Sequence, residues 1–340
     1  MNESKTINLE SLHRFQINYL NVESALLGMR HVFPFKGATV TVSLPRLESV
    51  SDNPDEFCDA HRSSYREENG KSIILAANVN TIRVEVKGDK TITLPLEVLN
   101  RDPYSTELIP EADKTRLKDI SARADQIARE AFEYWISIMR WRCNNHRIGR
   151  PLLHGPRVLW QNSLRDAESK RSVWSITGNI VITATREVTT TGWDQAQTSL
   201  QACEEVPVHI LLLDDARENL SRGDYRRSII DLAVACEVFM RTLVLRTIPE
   251  DLDKDMLAMI EEVSIHQYMK KYLPNLLTED GQSDLKKLVS GHLNSLFELR
   301  NKIMHMAQND RATRENCVRF IQATSTLFEL EKAMTNPSTD

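Results

Sequence analysis

The sequence has no CxxC pair, no glycine-rich loop of the GxxxxGK[ST] or GxGxxG kind, no HExxH and no GxSxG. None of the short motifs of nucleotide-cradling loops, zinc proteases or serine hydrolases is therefore present. Its five cysteines, Cys58, Cys143, Cys203, Cys236 and Cys317, are odd in number and widely spaced, which argues against a disulfide framework and a structural zinc site. Cys236 and Cys317 lie among apolar helical neighbours and are expected to be small core residues. No apolar run approaches the roughly 18 residues that span a bilayer, and MNESKTINLE lacks the basic-then-apolar layout of a signal peptide. A cytoplasmic protein without a membrane anchor is the expectation.

Basic charge is not in excess either. The net charge is -5, and from Pro207 onward 17 Lys and Arg face 21 Asp and Glu, so 17 - 21 = -4. Nonspecific nucleic-acid affinity comes mostly from cations neutralising phosphates, so any grip on RNA must be local. The sequence shows no repeat and no low-complexity tract.

At 340 residues the chain is long enough for two domains, each with a core of its own. Residues 1–30 scatter Leu9, Leu12, Phe15, Leu20, Leu26 and Leu27 without choosing between helix and strand. From Val32 to about Leu99 the signals are β: ATVTVSL alternates, SIILAANV is β-rich, and TIRVEV and TITLPL flank a turn at Lys87-Gly88-Asp89. The polar stretch Ser49 to Lys71 between them reads as a long excursion. After Pro110 apolar residues recur every three or four positions from Leu117 to Met139, which predicts a helix to about Asn145, stopped by Gly149 and Pro151. Ser172–Thr177 and Ile180–Glu187 bracket Gly178-Asn179 as a hairpin. A short helix, Asp194–Glu205, leads to a boundary at Pro207. Trp160, Trp174 and Trp193 are expected to anchor this first domain.

Beyond the boundary the pattern is helical. One helix runs from about Val208 to Leu220 and is broken by Arg222-Gly223-Asp224. The next, Tyr225–Arg246, is apolar on nearly every side, the mark of a bundle's buried centre. Shorter pieces fill 252–273, and two long amphipathic helices, about 283–306 and 313–334, follow. The fold class is α+β: an N-terminal mixed domain, 1–206, then an all-α domain, 207–334, with a loose tail at 335–340.

The candidate site is LFELRNKIMH, Leu296 to His305. Leu285, Leu288, Leu296, Leu299 and Ile303 form its apolar stripe. At about 100° per residue, Asn301 and His305 share a line on the far side and Arg300 sits on the flank between. An imidazole that moves protons must be reachable, and it ordinarily titrates near pH ~6.5. An arginine beside it can clamp a phosphate and stabilise charge that builds during transfer. With no acidic metal cage nearby, the simplest reaction is metal-free RNA cleavage: the ribose 2′-hydroxyl attacks the adjacent phosphate, so DNA should survive. As a bare pattern R-x(4)-H is weak, because cations at a helix C-terminus are favoured by the macrodipole alone.

The whole C-terminal third resembles the HEPN superfamily of small all-α domains. The resemblance rests on ARENLSRGDYRRSIIDLAVACEVFMR, with Glu237 in its greasy second helix, on the signature RNKIMH with Arg300, Asn301 and His305, and on the closing amphipathic helix. It covers roughly residues 207–334. The resemblance implies a metal-independent endoribonuclease leaving 2′,3′-cyclic phosphate and 5′-hydroxyl ends, with Arg300 and His305 catalytic and Asn301 orienting them. It also implies a homodimer that pairs two copies of the motif in one cleft, and RNA as substrate. Such enzymes suit bacterial antiviral defence or toxin systems, while other members are non-catalytic interaction or nucleotide-binding modules.

Glu237 is the one acid between Asp231 and Arg241, and burial without a cation would be costly. Arg300 or His305 would serve, and so would Arg241 on its own helix. In the first domain, MRWRCNNHRIGR gathers Arg140, Trp141, Arg142 and Arg147; cations around an aromatic hold single-stranded RNA, and the same run also reads as a solvated helix end. His13, His31, His61 and His154 have no partners at ligand spacing and read as surface or loop residues. No metal or other cofactor is expected. The first domain would sense a trigger, bind a protein partner or restrain the nuclease.

Overall fold

The computed structural model describes residues 4–51, 58–68, 71–95, 97, 109–150, 160–165, 172–178, 187–249, 252–253, 262–306 and 310–334. The predicted strand Ile180–Glu187, apart from its last residue, His154 and the tail 335–340 lie outside them. The chain is α+β and divides into two compact units, Met1–Glu205 and Val206–Asp340.

The first unit is organised by two long antiparallel strands, β1 (Ser4–Glu23) and β6 (Lys71–Pro95). On the other edge of β6, β3 (Ala38–Ser43) pairs with one half and β5 (Ala60–Glu68) with the other. β2 (Arg30–Phe35) extends the sheet beyond β3, and the two-residue β4 (Val50–Ser51) extends it beyond β5. A separate pair joins β7 (Trp160–Arg165) to β8 (Ser172–Gly178). The predicted strand at 172–177 is thus present, with an upstream partner.

The expected turn at Lys87-Gly88-Asp89 does not form. β6 runs straight through it, with Lys87 opposite Glu10 and Thr91 opposite Asn8. The three intervening residues of β6 bulge against one on β1. A continuous partner supplies ladder bonds to both halves, and this outweighs the local turn preference. Part of the expected excursion 49–71 is likewise strand, as β5.

One face of the sheet is covered by α1 (Glu111–Arg142), whose Phe132 stacks on Phe15 with ring centroids 4.7 Å apart. The helix ends three residues before the predicted Asn145, and Gly149 follows at φ +71, where a Cβ would meet the end of the Ile136 side chain at 2.8 Å; both facts favour glycine there. α2 (Thr190–Gln201) begins earlier than expected because the Thr189 side chain accepts from Gly192 N–H. Glu23 of β1 accepts from the Thr190 backbone and hydroxyl at 3.0 and 2.9 Å, placing an acid at the positive end of the helix. Trp193 is buried as expected; the side chains of Trp160 and Trp174 lie outside the description.

His31 is not a surface residue. It is fully buried, stacked on Trp193 at 3.6 Å between centroids. Trp135 Nε1–H donates to His31 Nδ1 at 2.8 Å, so the ring proton sits on Nε2 and is given to the Trp193 carbonyl at 3.1 Å. His61 is also buried. Burial lowers the His31 pKa to about 4, against a small opposing pull from the Trp193 carbonyl. In the second unit, burial likewise lowers that of His209 to about 4, where the ring packs on Phe239 and Phe328.

A histidine in the unfolded chain takes up its proton near pH 6.5, whereas these take it up only near about 4. Between those values the unfolded state binds more protons, so the stability they contribute is complete above 6.5 and is lost as pH falls toward 4. Each costs up to about 3 kcal/mol over the window. Denaturant midpoints of the full chain should fall steadily from pH 6.5 to 5, above the range where carboxylates titrate; a flat midpoint there would contradict the assignment.

Among the described residues of the second unit the regular elements are all helical, apart from a bridge between Leu277 and Met334. It contains α3 (Val208–Ser221), α4 (Tyr225–Leu245), short turns over 265–276, α5 (Glu279–Leu288), α6 (Asn294–Met306) and α7 (Arg314–Glu329). Asp224 caps α4 through Arg227 N–H, and Thr313 caps α7 through Asn316 N–H. α4 is the central helix: Ile229, Leu232, Cys236, Phe239 and Leu243 are at most 1% exposed. They pack with Leu296, Leu299 and Ile303 of α6 and Phe320 and Leu327 of α7 in one core. Cys236 and Cys317 are both buried, and burial pushes the Cys236 thiol up to about 12. α5 and α6 form one helical run joined by a wide π turn, Val289–Leu293. Val289 and Leu293, both buried, carry the core face across it. Among the described residues of the whole chain, no helix is long and apolar enough to cross a membrane.

Candidate functional site

α6 is held to α4 by Leu296, Leu299 and Ile303, and this packing fixes where its remaining side chains go. Arg300, next to Leu299, falls on the border of the buried face. Its Nη2 lies 3.6 Å from Glu237 Oε1 on α4, and its Nη1 donates to Asn301 Oδ1 at 3.0 Å. Of the cations open to Glu237 in the sequence, Arg300 is thus in ion-pair range. The guanidinium of Arg241 lies over the Tyr268 ring at 5.4 Å. Arg300 and Glu237 are 29% and 23% exposed, so water screens their attraction. Glu237→Gln is therefore expected to lower stability by less than about 1 kcal/mol; a loss of ~3 kcal/mol or more in denaturant unfolding would mean a sealed pair.

His305 lies in the last turn of α6 and is exposed, as is Asn301 one turn earlier. Among the described residues it has neither a hydrogen-bond nor an ion partner. At about 100° per residue, Arg300 and His305 point roughly 140° apart. One copy of the helix therefore presents the two groups on different sides, with Asn301 between them. Met304 and Met306 flank His305 and are 55% and 61% exposed.

A feature that the sequence reading missed lies on the same helix. Ser295, Glu298 and Lys302 of α6 line a cavity of about 210 Å³ shared with Arg311 and with Arg319 of α7. Three cations face one carboxylate there, and none of the three has an ion pair among the described residues. His305 follows Lys302 by one turn on that stripe. The legible signal was the helical spacing of Ser295, Glu298, Lys302 and His305; Arg311 and Arg319 join them only through the packing of α7.

In the first unit, Arg140, Trp141, Arg142 and Arg147 are drawn into their own fold. Arg140 Nε donates to the Ile148 carbonyl at 2.7 Å. Arg142 lies over the Trp141 ring at 3.6 Å, donates to Ser199 Oγ at 2.6 Å and pairs with Glu204. Arg147 lies over the Tyr19 ring at 4.3 Å. Among the described residues, no group of three or more His, Cys, Asp or Glu side chains is arranged to hold a metal ion.

In comparisons with known proteins, no family model, no curated protein and no solved structure matches this chain.

Proposed function

We propose that the second unit is a HEPN-type, metal-independent endoribonuclease that works as a homodimer, in a cytoplasmic effector of the bacterial defence or toxin kind. The observation that carries this reading is the division of labour on α6: Arg300 is braced by Glu237 and Asn301, while His305 stands exposed nearby with no partner among the described residues. Since Arg300 and His305 diverge on one helix, two copies facing each other would supply an imidazole and a guanidinium to each side of one phosphate.

One His305 would take the proton of the ribose 2′-hydroxyl as its oxygen attacks phosphorus. The other would give a proton to the departing 5′-oxygen as the P–O5′ bond breaks. Arg300 would balance the dianionic phosphorane. The products would be a 2′,3′-cyclic phosphate and a 5′-hydroxyl. Lys302, Arg311 and Arg319 would hold neighbouring phosphates, giving an acidic unit the local grip it needs. The first unit would sense a trigger, bind a partner or restrain cleavage.

A second reading is favoured by the exposed Met304 and Met306, since adaptable apolar side chains suit a contact surface. On it, the same face dimerises, or holds a nucleotide, without chemistry. Labelled RNA and the matching DNA, incubated with the purified chain in EDTA, separate the two. The nuclease reading expects RNA alone to be cut, with cyclic-phosphate ends. Inert RNA, or cleavage that requires added magnesium, would overturn it.

A further inference from the structure

The outer face of the first unit's sheet carries a row of arginines set by strand register. Arg14 of β1 lies directly opposite Arg83 of β6, Arg83 opposite Ser43 of β3, and Ser43 opposite Arg30 of β2. Directly opposed residues share a face, and the neighbours Ile82 and Val84 are fully buried on the other one. Like charges opposite each other on paired strands repel. Nevertheless Arg14 and Arg83 are adjacent, and among the described residues neither has a carboxylate partner.

A fourth arginine, Arg46, completes the arrangement from the loop after β3. The four line a single cavity of about 480 Å³, within the roughly 300–1,000 Å³ typical of small-molecule sites. Its walls are tied down: Gly28 N–H donates to the Pro45 carbonyl at 2.8 Å and Leu44 N–H to the Met29 carbonyl at 3.0 Å. Gly28 makes that approach at φ +83, a conformation that favours glycine.

Two acids, Asp59 and Glu85, also line the cavity, leaving 4 - 2 = +2 among its described lining residues. Asp59 already accepts a hydrogen bond from the Thr81 hydroxyl. The hydroxyl of Ser43 adds a neutral donor beside the guanidinium groups, while that of Ser49 is given to the Arg46 carbonyl at 2.7 Å.

We propose that this cavity binds a small ligand carrying two or more phosphate groups, with Arg14 and Arg83 at its centre and Arg30 and Arg46 at its rim. Converging guanidinium groups match phosphate oxygens through paired hydrogen bonds, and a bound polyanion relieves the Arg14–Arg83 repulsion. Among the described residues that line it there is no aromatic ring on which a base would stack, and the guanidinium groups are what they offer a ligand. This assignment is independent of the chemistry proposed for the second unit.

Calorimetric titration of the full chain with inorganic tripolyphosphate, ATP, adenosine and a 20-nucleotide RNA tests it. Saturable one-to-one binding of tripolyphosphate is expected, with ATP comparable and adenosine silent. Arg14→Ala or Arg83→Ala should weaken binding by about tenfold or more, the loss of one charge-assisted contact. Arg30→Ala, on the edge strand, and Arg46→Ala, in the loop, should weaken it by about threefold without lowering the melting temperature, so the test survives if a central variant fails to fold. ATP binding tighter than tripolyphosphate would support the same site with a nucleotide as its occupant. Absence of saturable tripolyphosphate binding, affinity indifferent to all the folded variants, or binding of the RNA alone would overturn the proposal.

Discussion

His305→Ala is expected to lower metal-free RNA cleavage by about 10²–10⁴-fold, the usual worth of a positioned general acid or base. Its effect on stability should stay within ~0.5 kcal/mol, because the ring is exposed and has no hydrogen-bond or ion partner among the described residues. Arg300→Lys gives the matching test of the arginine. It keeps a charge near Glu237 but loses the planar fork, so the fold should hold while cleavage falls by roughly 10²–10³-fold, as when one transition-state donor is removed. Rates and denaturant midpoints measured on the same preparations separate chemistry from folding. A His305→Ala protein that cuts as fast as the parent would leave the proposed mechanism without its proton carrier.

In the first unit, Trp135→Ala is expected to cost about 3–5 kcal/mol. Trp135 is fully buried, stacks near Phe132 and donates the hydrogen bond that satisfies His31 Nδ1. Alanine opens a cavity and leaves a buried imidazole nitrogen without its donor. Trp135→Phe keeps most of the packing and removes only the donor, so it should cost about 1–3 kcal/mol. The phenylalanine variant isolates the polar share of the loss. Equal costs for the two substitutions would mean that the hydrogen bond, not the volume, dominates; a loss below ~1 kcal/mol for alanine would contradict the placement of Trp135 in the core.

The helices of the second unit were legible because each buries one face and carries apolar residues at helical spacing. α4 was readable as the central helix since Ile229, Leu232, Phe239 and Leu243 leave it little polar surface. β1 was not, for a physical reason. Its register against β6 slips between Asn8 and Glu10 and again between Gln16 and Leu20, so buried positions do not keep one parity along the strand. Phe15 and Ile17 belong to one frame, and Leu20 and Val22 to the next. β5 escaped notice because its outer half, Ser64–Glu68, is exposed and polar. His31 looked like a surface residue because its partners, Trp135 and Trp193, lie more than a hundred residues away in sequence. Arg300, Asn301 and His305 could be read from six consecutive residues, and Glu237 from its isolation in an apolar helix. The two arginine-lined cavities could not be read, because strand register and helix packing assemble them from distant segments.

The ribose 2′-oxygen is the nucleophile of the proposed reaction, and one substitution in the substrate removes it. Once the cut position in a labelled RNA is mapped, the same RNA is made with a single 2′-deoxy nucleotide on the 5′ side of that bond and incubated with the chain in EDTA. Cleavage there should disappear while cuts elsewhere persist. Continued cleavage at the deoxy position would contradict the account.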